Sequence, residues 1–128
     1  MLFEIDFQSE EALYMQLRNQ IVLGIARSLI QEGDPLPSVR QLAGDIGINM
    51  HTVNKAYAVL RDEGFVTIDR RRGAVIALNG DRQRAEEELR ARLRVLLAKS
   101  ICKNIPAADV HGMVDEIYAE MQMEKATS

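Results

Sequence analysis

The chain reads as a mostly α protein with a small β-wing: a winged helix-turn-helix followed by a two-helix dimerisation tail. Three observations predict this. Residues 36–77 carry two short amphipathic helical patterns joined at Gly47, then two β-rich runs around a polar turn, Asp69 to Gly73. After Leu78 the pattern changes to a charged, leucine-rich helix, broken once at Asn104-Ile105-Pro106. Finally, 128 residues with 47% hydrophobic content suit one small domain plus an appendage. The expected division is a winged domain over residues 1–78, with an arm over 1–8, and a tail over 79–128.

Taken in order, residues 2–8 (LFEIDFQ) alternate apolar and polar, placing Phe3, Ile5 and Phe7 on one side of a short strand or extended arm. Two readings stand side by side: a tail that covers the core, or an arm that pairs with another subunit. Ser9 to Gln31 is expected as the first helix, with Leu13, Leu17, Ile21, Ile25 and Leu29 recurring at i+4 and Gly33 closing it. Asp34-Pro35-Leu36-Pro37 is extended, because each proline disfavours helix in the residue before it, and it can pair with the wing strands.

Ser38 is a good N-cap, and Gln41 completes a capping-box pattern. The helix it opens turns Val39, Leu42, Ala43 and Ile46 to one face. Gly47 stops it, since glycine takes the left-handed conformation that a sharp turn needs. Ile48 can plug the core beneath. Asn49 caps the next helix, whose buried stripe is Val53, Ala56, Tyr57 and Leu60, and Gly64 ends it. Phe65–Ile68 and Ala74–Ala77 are the wing strands.

The polar residues fall on the other faces, as a DNA reader requires. Asn49, His51, Thr52, Asn54 and Lys55 occupy the first turns of the second helix, where a recognition helix meets base edges. Asparagine can pair bidentately with adenine, and threonine offers a hydroxyl or a methyl. Lys55 suits a phosphate, and Arg40 a phosphate or guanine. Arg70, Arg71 and Arg72 stand at the wing tip beside Gly73, where arginines enter a minor groove or bind its phosphates. Ser38 and Gly73 complete the candidate DNA-binding set. The bland alternatives are a solvated turn for the three arginines, an incidental surface residue for His51, and capping alone for Asn49.

The residues P-S-x-R-x-L-A (Pro37 to Ala43), T-V-x-x-A-Y-x-x-L (Thr52 to Leu60) and E-G-F-V (Glu63 to Val66) resemble the DNA-binding domain of the GntR family of bacterial transcription regulators. The similarity runs in unbroken order from Ile5 to Ile76 and includes Leu13-Tyr14-x-Gln16-Leu17; it departs at Ala12, where the family usually has proline. Larger family members carry an effector domain or an aminotransferase-like domain that binds pyridoxal phosphate, and this chain has room for neither. A short two-helix tail is similar to the YtrA-type subgroup. That resemblance implies a dimeric repressor, often associated with genes for membrane transporters.

Net charge is −3, with eight basic and eight acidic residues between Glu10 and Leu78, so a DNA face must arise from distribution rather than excess. No run of about 18 apolar residues suggests a membrane span, and no basic-then-apolar start suggests a secretory signal. The one cysteine, Cys102, cannot form an internal disulfide. It is expected as a buried thiol, and the chain as cytoplasmic.

In the tail, Arg82 to Lys103 and Ala107 to Met123 are expected helices, and Glu124 to Ser128 a frayed end. Two helices cannot enclose much core alone. Leu89, Leu93, Leu96, Leu97, Val110, Val114, Ile117 and Tyr118 are therefore candidate dimerisation residues, in a bundle built with a second copy. Met113, Met121 and Met123 read as adaptable packing residues.

The expected partners are double-stranded DNA with a palindromic operator and a second copy of the chain. Either a small effector releases the DNA, or the tail only dimerises. No cofactor or metal is called for: the weak candidate Asp109, His111 and Asp115 lacks convincing spacing, and no glycine-rich phosphate loop is present. Enzyme activity is not expected. The competing class is a winged-helix protein-interaction adaptor without direct DNA binding.

Overall fold

The computed structural model describes residues 3–127, and side chains as far as Gln122. Five helices and one two-stranded sheet follow in the order α1 (Leu13–Ala26), α2 (Val39–Ile46), α3 (Met50–Asp62), β1 (Val66–Asp69), β2 (Gly73–Ile76), α4 (Arg82–Cys102) and α5 (Ala107–Thr127). The chain separates into two compact units, one through Asn79 and one over Gly80–Thr127. Among the described residues no helix is long and apolar enough to cross a membrane.

In the first unit, α1, α2 and α3 close around Leu17, Ile21, Leu42, Val53, Ala56 and Leu60, with Val66 and Ile76 of the hairpin sealing one side. Each fully buried aliphatic side chain contributes about 1.5–3 kcal/mol relative to exposure. The α3 stripe read from sequence is buried throughout; of the α2 stripe, Leu42 and Ala43 are buried, while Val39 and Ile46 pack against the core partly exposed. Gly47 takes φ 72° between them, and Ile48 packs against the core below the turn. β1 and β2 pair antiparallel from Val66↔Ile76 to Asp69↔Gly73. The proline-rich segment pairs beside β2: Pro35 bridges Val75, and Leu36 N–H donates to Ala74 O at 2.8 Å. Gly33 N–H donates to Ile76 O at 2.8 Å.

The first helix is shorter than the expected Ser9–Gln31 at both ends. At its start, short-range bonds compete with helix. Asp6 Oδ1 accepts from Gln8 N–H, and Ser9 Oγ from Glu11 N–H, so the chain turns until Ala12. At its end, Ser28 adopts φ 60°, and the N–H groups of Leu29 and Ile30 both donate to Gly24 O. This swings Ile30 (4% exposed) into the core against the bare face of Gly24. Leu29, the expected fifth residue of the stripe, is left outside at 59% exposure.

The arm is not a strand. Phe3 and Ile5 pack against the core, whereas Phe7 lies in a turn and is 61% exposed. Two α1 glutamines, one turn apart, hold the arm. Gln16 accepts from Asp6 N–H (2.9 Å) and donates to Asp6 O (3.0 Å), and Gln20 makes the same pair with Glu4. Gln16 is buried, and these bonds satisfy its carboxamide. Leu2, part of the expected arm, lies outside the described residues.

In the second unit, Asp81 caps α4 by accepting from Arg84 N–H at 3.1 Å, and Arg82–Glu86 and Arg84–Glu88 pair at i,i+4. No residue of α4 is buried. Asn104 at φ 60° ends the helix, with Ile105 N–H returning to Ser100 O. The Pro106 carbonyl then accepts from Asp109 and Val110 at the start of α5. Backbone helix continues to Thr127, past the expected fraying point at Glu124; Ser128 and the Met123 side chain lie outside the described residues. Cys102 is exposed rather than buried, in a helix none of whose residues is buried within the single chain.

Candidate nucleic-acid interface

The helix-turn-helix is held by bonds that aim its polar faces. Ser38 Oγ accepts from Gln41 N–H at 3.1 Å, realising the Ser38 half of the capping box. Asn49 Oδ1 accepts from His51 N–H at 2.7 Å, so Asn49 is a cap whatever else it does. Tyr57, 5% exposed, donates its hydroxyl to Pro37 O at 2.7 Å and thereby ties α3 to the residue before the α2 cap. Burial pushes the Tyr57 phenol well above its ordinary value near 10, so it stays a donor through the physiological range. Arg18 of α1 pairs with both oxygens of Glu63 just past α3, at 2.8 and 2.9 Å, which fixes the far end of that helix.

Arg40, His51, Asn54 and Lys55 are exposed, and Thr52 is half-buried. The structure gives Lys55 a position not legible in the sequence: its Nζ lies 4.1 Å from the ring centroid of Tyr14, so the cation rests on an α1 aromatic face. At the wing, Asp69 Oδ1 accepts from the N–H groups of Arg71 (2.7 Å) and Arg72 (3.3 Å), shaping the turn. Arg70 and Arg71 are exposed. Arg72 is exposed too, and its guanidinium donates to Gly33 O.

Between the start of α2, the exposed side of α3 and the wing lies a shallow hollow of about 300 Å³. Ser38, Asn54 and Gly73, all candidates from the sequence, line it together. So do Arg61 and the wing residue Ile68, which were not among the candidates. Helical arithmetic carried the missed signal for Arg61, which stands seven positions beyond Asn54 and so on nearly the same side of α3. For Ile68 there was none; an apolar strand residue reads as core, yet it is 58% exposed.

In the tail, Leu89 (58%), Leu96 (56%), Ile117 (50%) and Tyr118 (67%) are well exposed; Leu93, Leu97 and Val114 are less so, and Val110 is half-buried. Val95 and Met113 are exposed as well, Val95 on the side of α4 away from the leucine stripe. Asp109, His111 and Asp115 are not gathered into a metal-donor group among the described residues.

Comparison with known proteins agrees with this geometry. The family model for bacterial regulatory proteins of the gntR family matches residues 10–76. The chain is similar to the HTH-type transcriptional repressor YtrA of Bacillus subtilis (strain 168), at 30% identity over 94% of this chain and 95% of that one. Among solved structures it is similar to YtrA from Sulfolobus acidocaldarius, a GntR-family transcription factor: 36% identity, 80% of this chain, 99% of that one, TM-score 0.67. A transcriptional antiterminator from Listeria monocytogenes EGD-e superposes over 94% of this chain and 92% of its own, with TM-score 0.84 and 25% identity.

Proposed function

From the premise that this chain belongs to the gntR family of bacterial regulatory proteins, we propose that it is a sequence-specific DNA-binding repressor that acts as a homodimer on a palindromic operator. The observation that carries the reading is the joint placement of Ser38, Asn54 and Gly73 around one hollow between α2, α3 and the wing. That surface matches a recognition helix seated in the major groove with a wing beside it. His51, Thr52 and Asn54 read base edges; Arg40, Lys55, Arg70 and Arg71 bind phosphates or the neighbouring groove. Bound over a promoter, the protein blocks polymerase by occlusion.

The dimer follows from the tail. α4 has 21 residues, none of them buried within the single chain, yet most helical stability in proteins comes from packing an apolar face. Covering Leu89, Leu93, Leu96 and Leu97 against a second copy stabilises both the helix and the pair. Two-fold symmetry then sets two recognition helices about 34 Å apart, one helical turn of DNA.

The test is selection of bound sequences from a random duplex pool. A palindrome with half-sites about one turn apart is the expected result. A folded protein that enriches no motif, and whose weak DNA binding is insensitive to salt, refutes the reading in favour of a protein-interaction adaptor.

A further inference from the structure

Arg61 stands near the C-terminal end of α3, outside the polar cluster of its first turns. It nevertheless lines the same hollow as Ser38, Asn54 and Gly73. At 100° per residue, His51, Asn54, Ala58 and Arg61 fall within an arc of about 80° on α3. The buried stripe of Val53, Ala56, Tyr57 and Leu60 lies on a different side. Arg61 is therefore the far end of the recognition face. Its side chain is half exposed, and Asp62, the acid paired with it among the described residues, is 3.8 Å away and itself exposed, so the guanidinium is not tied up.

Length decides what it can meet. Ten residues separate His51 from Arg61, about 15 Å along the axis. The major groove is about 12 Å wide. With His51 and Asn54 over the bases, Arg61 lies past the floor of the groove and against its phosphate wall, on the side where the wing residues Ile68 and Gly73 close the hollow. We propose that Arg61 is a phosphate-binding residue that clamps the DNA backbone between the end of the recognition helix and the wing. This rests on the DNA-binding reading above. It adds a contact that sets affinity and register without selecting bases.

The experiment measures binding of the full-length protein to two labelled duplexes of about three helical turns, one carrying the selected site and one scrambled, over a salt series. Arg61→Ala is expected to weaken both complexes by a similar factor, about three- to tenfold, and to lower the salt slope by about 0.9. Arg61→Lys keeps the charge and is expected to keep the slope. Thermal melting of both variants checks that the fold is intact, as substitution of an exposed side chain predicts. Unchanged affinity and slope in Arg61→Ala, with normal binding by the unmodified protein, overturn the inference and leave the DNA reading standing. A changed base preference also overturns it, by making Arg61 a base reader. Failure of the unmodified protein to bind either duplex with any salt dependence refutes both.

Discussion

Replacing Tyr57 with phenylalanine removes one oxygen and tests how α2 is tied to α3. The hydroxyl sits in a site that leaves the residue 5% exposed, and it donates to Pro37 O at 2.7 Å. A buried neutral hydrogen bond contributes about 1 kcal/mol net. Its loss leaves the Pro37 carbonyl without that donor, which adds desolvation and brings the expected cost to about 1–3 kcal/mol. For a domain of this size each kcal/mol lowers Tm by about 4–8 °C, so a fall of roughly 5–20 °C is expected by circular dichroism at pH 7.

The same bond makes a second prediction, in pH. Burial raises the phenol's folded-state pKa above its ordinary value near 10, so the native state holds the proton more tightly than the unfolded chain. The associated stability is complete below pH 10 and is lost as pH rises from there toward the folded value. The unmodified protein should therefore lose its advantage over Tyr57→Phe by up to about 1.4 kcal/mol per pH unit above 10. Comparing the two proteins cancels the titration of lysines and other tyrosines. Equal Tm values at pH 7 together with parallel alkaline profiles would refute the assignment of the hydroxyl as a buried donor.

Three further outcomes are expected. Gly64→Ala should cost about 1–2 kcal/mol by urea denaturation, because φ is +85° and an added Cβ meets Asn79 O at 3.0 Å; an unchanged midpoint would mean that the turn relaxes freely. Leu93→Asp places a charge in the proposed interchain stripe and should convert the proposed dimer to monomer by light scattering. Persistence of the dimer would show that the second copy packs elsewhere. Arg40→Ala should weaken operator binding by about 1–3 kcal/mol in an equilibrium titration. Undiminished affinity would remove Arg40 from the interface.

Local chemistry alone determined the helix-turn-helix. The Ser38 and Asn49 caps, the Gly47 turn and the 3.6-residue stripes of α2 and α3 are short-range devices, and the folded unit uses them as read. The polar face of α3 followed at once, since fixing the buried stripe also fixes what is left outside. Long-range packing decided the rest. The periodic pattern through Leu29 predicted a longer α1, but core space beside the bare face of Gly24 admitted Ile30 and turned the chain at Ser28. Alternation allowed a short strand or an extended arm; residues 3–6 form no strand, and two α1 glutamines capture their backbone. The positions of Lys55 over Tyr14, and of Arg61 in the hollow with Ser38 and Gly73, depend on elements distant in sequence meeting in space. Periodicity along one element cannot encode such meetings, because they are set by the volume and hydrogen-bonding needs of its neighbours.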